Sequence, residues 1–242
     1  MLAVRRRANG NTEAVDNYLK AILSLGGGEG ADADGRRVTS SALAERLGVA
    51  PASVTNMLQK LAGAADSLVI YERHRGVELS AAGKRRALEV LRHHRLIETF
   101  LYQILDYPIE EVHEEAERLE HFISERFEER IAAKLGHPVI DPHGHSIPTL
   151  DGEMAARASI ALSDVGRDGT FVIHSVSDRD AGSLRRIEAC GIVPGEELRV
   201  TKDDAGGKYS VSVGRSEAAF ELTPEMAGDV RIVANRIATD KE

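Results

Sequence analysis

The 242-residue chain has one cysteine, Cys190, no tryptophan, and aromatic residues at only 4% of its length. A single thiol excludes an internal disulfide framework and a cysteine-built metal cluster. Scarce aromatics exclude a broad stacking platform for single-stranded nucleic acid. No stretch approaches the roughly 18 consecutive apolar residues that a membrane span requires. The first residues, Met1 to Asn11, are basic rather than apolar, so the expectation is a cytoplasmic protein with no membrane partner. Catalytic signatures are missing as well. No His-Glu-x-x-His occurs, and a His-x-x-Glu-His would need histidine where Glu117 stands, so the zinc-protease reading fails.

What is present is a hydrophobic content of 42% and a charged content of 29%, ordinary for a protein with packed cores. The length suits one or two domains and a small appendage. The net charge of −8 hides an asymmetry. Residues 1–95 carry 15 Lys+Arg against 10 Asp+Glu, while the remainder carries 16 against 29. A mildly basic head on an acidic body fits duplex-DNA binding confined to the head.

The most pointed stretch is His113-Glu114-Glu115-Ala116-Glu117-Arg118-Leu119-Glu120-His121. The apolar period predicts one helix from Ile109 to Leu135, with Glu117 and His121 one turn apart on one face, joined there by Glu120 and, a turn earlier, His113. Upstream, His94 and Glu98 again stand four residues apart on a helix. Carboxylates and imidazoles on one stripe repel or stay solvated unless a counter-cation joins them, and a divalent ion makes the stripe a mixed nitrogen and oxygen site. The plainer alternative is a solvated acidic face.

Taken in order, the chain opens with a basic arm, Arg5-Arg6-Arg7 included, then a helix from Thr12 to Leu25 ended by Gly26-Gly27-Gly28. Thr39 or Ser40 caps a short helix through Leu47, Gly48 ends it, and Pro51 opens a second helix to Ala62. Two short helices about a tight turn describe a helix-turn-helix. Leu68–Arg73 and Gly76–Leu79 then form a hairpin with a basic tip, which makes the unit a winged helix. Ser53, Thr55 and Asn56 are placed to reach base edges, and Lys60, Arg73 and Arg75 to meet phosphates. A long helix from Ala82 to Leu105 carries more apolar surface, Leu96, Ile97, Phe100, Leu101, Ile104 and Leu105, than one small domain covers, and a partner subunit is the simple explanation. His143 and His145, with no evident companion carboxylate, read as polar residues of a connector. From Ala161 onward, five brief strands with turn residues between them predict a small β-barrel.

Order and motifs together resemble the diphtheria toxin repressor family of iron- and manganese-dependent transcription regulators. The matching stretches are Ala14-Val15-Asp16-Asn17-Tyr18-Leu19, Leu43-Ala44-Glu45-Arg46-Leu47, His94-Arg95-Leu96-Ile97-Glu98, the Glu-x-x-Glu-His core ending at His121, and Asp141-Pro142-His143-Gly144-His145-Ser146-Ile147-Pro148. The resemblance implies a mainly α fold with a small β domain. Its parts are a winged helix at 1–80, a helical dimerisation and metal-binding domain at 81–150, a linker at 151–160, and an SH3-like β-barrel at 161–242. It implies a homodimeric, metal-dependent repressor on a palindromic DNA operator, loaded by Mn²⁺ or Fe²⁺ and controlling metal-homeostasis genes, with no small-molecule substrate.

Carried over, the primary metal site uses Asn17, Glu117, Glu120 and His121, and a neighbouring site uses His94, Glu98 and His113. Glu117 stands where the iron branch has Cys and the manganese branch a carboxylate, which leans the chain to Mn²⁺. Asn17 replaces the Met or Asp of those branches, and Lys20 stands where the manganese branch has a second carboxylate. Asp16 or Glu13 is the nearest substitute, and Asp178 or Asp180 the candidate ligand from the SH3-like domain. The implied mechanism has the ion crosslink the first helix to the pairing helices and so set the spacing of two winged helices. Its rivals are a metalloenzyme using the helical cluster, and a metal-independent regulator sensing through the barrel.

Overall fold

The computed structural model describes residues 12–27, 36–155, 158–202, 208–216 and 218–234; the basic arm Met1–Asn11 lies outside the described residues. The chain divides into two compact units. One falls within Met1–His94, Glu117–Glu128 and Pro148–Ala156, the other within Arg95–Ala116, Glu129–Ile147 and Arg157–Glu242. Among the described residues no helix is long and apolar enough to cross a membrane.

The first unit begins with α1 (Thr12–Leu25), α2 (Ser40–Leu47) and α3 (Pro51–Ala62). The Thr39 hydroxyl accepts from the Ala42 amide and caps α2, and Gly48 in the left-handed region closes it. Pro51 starts α3 where no amide donor is needed. The hairpin of β1 (Val69–Glu72) and β2 (Gly76–Leu79) pairs Val69 with Leu79 and Glu72 with Gly76. Leu19, Leu43, Val54, Leu58 and Val77, all fully buried, form the centre of this unit's core. The helix-turn-helix and wing are therefore as the sequence predicts.

α4 (Ala81–Leu105) follows as one unbroken helix. Its first turn is anchored by Ser80, whose hydroxyl donates to the Ser67 carbonyl at 2.6 Å and accepts from the Gly83 amide at 3.0 Å. That anchor presses Gly83 against the strand approach.

The expected single helix from Ile109 to Leu135 is corrected by the structure. α5 (Ile109–Leu119) ends early, and α6 (Glu125–Lys134) starts anew after a turn. Ser124 is the reason. Its carbonyl accepts from the Phe127 and Glu128 amides at 2.8 and 2.9 Å, and its hydroxyl faces the Phe127 amide at 3.3 Å. Glu125 and Glu128 in the first turn of α6 favour that new amino terminus. Glu120 and His121 thus lie beyond the end of α5, and the Glu117/His121 pair is not a helical i, i+4 pair.

In the second unit, Leu96, Ile131, Ala132 and Ile147 form a small core. Its β portion comprises β3 (Ile160–Ala161), β4 (Gly169–Val176), α7 (Ala181–Ala189), β5 (Glu197–Lys202), β6 (Tyr209–Val213), β7 (Phe220–Leu222), α8 (Pro224–Gly228) and β8 (Val230–Ala234). Among the described residues six strands, rather than the five expected, run antiparallel in the order β3-β8-β4-β5-β6-β7. β8, missed in the sequence, is the pivotal one because it pairs with both β3 and β4. Phe171 and Ile173 of β4 point inward with Leu198, Val211 and Ile232.

A Cβ built on Gly83 stands 1.9 Å from the Leu68 carbonyl oxygen, and neither is a flexible side chain. Gly83→Ala is expected to destabilise the winged helix by about 1–3 kcal/mol or more, read as a lowered Tm in thermal unfolding. An unchanged Tm would contradict the close approach.

Candidate metal centre and nucleic-acid interface

On the DNA-facing candidates, α3 places Ser53, Asn56 and Lys60 at the surface and buries Val54, Leu58 and Leu61 behind them. Thr55 is only partly exposed, and its hydroxyl donates back to the Pro51 carbonyl at 3.2 Å. At the wing, Arg73 and Arg75 are exposed, with Arg75 donating to Glu72 at 3.1 Å across the tip. Exposed basic side chains on a hairpin beside a polar helix face match what phosphate and groove contacts require.

Among the described residues, two clusters of buried and half-buried titratable groups lie outside that surface. In the first unit, Glu117, Glu120 and His94 bring ligand-type atoms within 4.8 Å of one another. The His94 Nδ1 is 2.6 Å from one Glu120 oxygen. His121 also comes near: its Nδ1 is 3.5 Å from Asp16 and its Nε2 is 3.4 Å from Glu120. Asn17 has its Oδ1 buried without a hydrogen bond. The midpoint of this cluster is taken. The Lys20 ammonium donates to Glu117 Oε1 at 2.7 Å and to both Glu120 oxygens at 2.8 Å. Arg86 meanwhile donates to Asp16 at 2.6 Å. The residues present do not fit a divalent ion there, because its place between the two glutamates is held by a fixed cation.

The second cluster lies in the second unit. Glu98 from α4, His113 from α5 and Asp178 from the loop after β4 converge, with His113 Nδ1 at 3.2 Å from Glu98 and 3.4 Å from Asp178. The connector adds Asp141, His143 and His145, whose ligand-type atoms also lie within 4.8 Å of one another. The reading of these histidines as connector polars lacking a carboxylate is corrected: Asp141 is 3.4 Å from His145, and Glu98 is 3.8 Å from His143. One Asp141 oxygen accepts both the His143 and His145 amides at 2.9 Å, an aspartate turn that aims both rings. Gly144 completes the turn at φ +92°, with a hypothetical Cβ only 2.2 Å from the His174 carbonyl oxygen. Of the two aspartates proposed for the β domain, Asp178 faces the cluster, whereas Asp180 caps α7 by accepting the Ser183 amide at 2.6 Å.

The electrostatics agree with a cation site. Burial disfavours a charged His143, but the carboxylates of Glu98, Asp141 and Asp178 outweigh it and raise the ring to about 9. His145 is raised likewise against burial by Asp141 and Asp178. Burial would raise Asp178, yet the surrounding imidazoles, His145 foremost, pull it below the usual aspartate range. Asp141 Oδ2, His143 Nδ1 and His145 Nδ1 are buried with no hydrogen-bond partner. A carboxylate oxygen that faces the Arg95 guanidinium at 3.4 Å, and imidazole nitrogens without hydrogen bonds, held within ligand distance, fit a divalent ion that prefers oxygen and nitrogen donors.

Comparison with known proteins follows the same division. The model of the iron-dependent repressor N-terminal DNA-binding domain matches residues 11–77, that of the iron-dependent repressor metal-binding and dimerisation domain residues 80–149, and that of the FeoA domain residues 160–234. A solved manganese-dependent transcriptional repressor in complex with manganese is 35% identical with a TM-score of 0.81, over 91% of this chain and 100% of that one. The chain belongs to the diphtheria toxin repressor family. The iron-dependent repressor IdeR of Mycobacterium leprae is 28% identical over 236 residues, 93% of this chain and 98% of that protein. The diphtheria toxin repressor of Corynebacterium diphtheriae is 29% identical over 165 residues, 68% of this chain and 67% of that protein. The fold expected of this repressor family, helical amino-terminal domains followed by an SH3-like antiparallel domain, is the one observed.

Because one oxygen of Asp141 holds two amides, Asp141→Ala should loosen the histidine-bearing turn even in chelator. The expected loss is about 1.5–3 kcal/mol for each charge-assisted bond removed, seen as a lower Tm. Asp141→Asn keeps the accepting oxygen and should recover much of it; equal losses in both variants would refute the turn's role.

Proposed function

We propose that this chain is a homodimeric repressor whose second cluster takes up Mn²⁺ or Fe²⁺ and whose winged helices then bind a palindromic DNA operator controlling metal-homeostasis genes. The observation that carries the reading is the set of buried Glu98, Asp141 and His143 with half-buried His113 and Asp178, drawn from four separate segments of one unit, in a chain that also has an exposed polar recognition helix.

A bound divalent ion would supply two positive charges amid three carboxylates and join segments that also meet through imidazoles and through Arg95, 3.4 Å from Asp141. The remaining work belongs to the chain. His143, its ring raised by the surrounding carboxylates, is a positive partner of Glu98 in the metal-free protein, and His113 bridges Glu98 and Asp178 at 3.2 and 3.4 Å. The Asp141 turn keeps both connector rings aimed inward. The donor set of carboxylate oxygen and imidazole, with no thiolate among the residues of the cluster, suits Mn²⁺ at least as well as Fe²⁺.

Dimer formation is supported by apolar side chains left uncovered at the end of α4, where Tyr102, Ile104 and Leu105 are 40%, 39% and 50% exposed. A two-fold pair of winged helices reads half-sites about one DNA turn apart, roughly 34 Å. Ser53 and Asn56 contact base edges, Thr55 offers chiefly its methyl group, and Lys60, Arg73 and Arg75 meet phosphates.

The test is fluorescence anisotropy with a duplex selected by the Mn²⁺-loaded protein from a random pool. Mn²⁺ should raise affinity about 5–150-fold, and His143→Ala or Asp178→Ala should remove that dependence. Arg75→Ala should weaken all duplexes alike and flatten the salt slope by about 1. Asn56→Ala should relax specificity at one base position, at about 1–3 kcal/mol. Full metal dependence in His143→Ala would defeat the assignment.

A further inference from the structure

We propose that Lys20 is the resident cation of the first cluster, so that this cluster is a metal-free ionic clasp and only the second cluster takes up metal. The inference rests on the metal-dependent reading above and narrows where that metal binds.

An ammonium group has three donors. Those of Lys20 are matched by three carboxylate oxygens, one from Glu117 and two from Glu120, at 2.7, 2.8 and 2.8 Å. The Lys20 side chain is 16% exposed and that of Glu120 fully buried. Such a carboxylate requires a counter-charge to remain ionised. A cation carried on the chain meets that need at every metal concentration, since its effective concentration does not depend on solution. Two nearby carboxylate oxygens are engaged as well. Asp16 is held by Arg86 at 2.6 Å, and the second oxygen of Glu120 also faces His94 at 2.6 Å.

Asn17 brings an amide oxygen and no negative charge. A divalent ion entering beside Lys20 would meet a positive charge at ligand distance, and the nearby Asp16 carboxylate already faces the Arg86 guanidinium at 2.6 Å. An ion replacing Lys20 would have to turn its ammonium out of a site where all three donors are satisfied. The consequence is structural. α1 of the winged helix is tied to the Glu117–Glu120 segment whether or not metal is present.

The decisive measurement is Mn²⁺ bound per subunit, by equilibrium dialysis and metal analysis of the full chain. Lys20→Met should bind one more ion than the parent protein, and the double variant Lys20→Met/Glu117→Gln should lose that extra ion. In chelator, Lys20→Met should have a lowered Tm that Mn²⁺ restores. If Lys20→Met fails to fold without metal, Lys20→Arg, which keeps the charge, should fold and bind the parental number of ions. A second parental ion that disappears in Glu117→Gln would overturn the inference, as would a folded Lys20→Met with no gain in metal. A parental protein that binds no Mn²⁺, beside a Lys20→Met that binds one ion, would uphold the clasp and sink the metal-dependent reading instead.

Discussion

Buried negative charge is the constraint on which this molecule's arrangement depends. Asp16, Glu98 and Glu120 are fully buried and Asp141 nearly so. A carboxylate withdrawn from water costs several kcal/mol unless a cation and hydrogen bonds meet it. The chain meets the cost in two ways. In the first unit the counter-charges are covalently attached: Lys20 for Glu117 and Glu120, Arg86 for Asp16. In the second unit they are chiefly imidazoles, which exchange their proton readily and ligate metals, beside one guanidinium, Arg95 on Asp141. Fixed ammonium and guanidinium groups give permanence, and imidazoles give a site that responds to its surroundings.

Backbone devices put these groups in place. The Asp141 turn and Gly144 let the connector approach β4 closely, where the His143 carbonyl accepts the Val176 amide at 2.9 Å. The interruption between α5 and α6 does similar work in the first unit. With the helix ended at Leu119, Glu120 is released from the α5 stripe and reaches Lys20 with both oxygens. His93 braces that turn, one ring nitrogen 3.3 Å from the Glu120 carbonyl and the other 3.0 Å from Glu128. The tertiary position of Glu120 therefore comes from a helix end and its brace rather than from helical periodicity.

The DNA-reading portion was almost fully legible in the sequence. Thr39, Gly48 and Pro51 mark helix boundaries by local chemistry, and the alternation through Val69–Leu79 marks the hairpin by its period, so neither needed a distant partner to be recognised. The metal-binding portion was legible in composition and motif but not in grouping. His94, Glu98, His113, Glu117, Glu120 and His121 stand out as ligand types at helical spacing, yet spacing does not say which of them share a cavity.

By itself, then, the sequence determined the order of helix-turn-helix, wing, long helix and β domain, because caps, breakers and apolar periods act over a few residues. Only the tertiary structure decided that Ser124 splits the second long helix and that β8 joins β3 to β4. It alone brought Asp141, His143 and Asp178 to Glu98 and placed Lys20 between Glu117 and Glu120. The charge pairings among those outcomes join residues far apart in the chain, Lys20 and Glu120 by 100 positions, and pairing at such separation is settled by packing and desolvation, which no local pattern encodes.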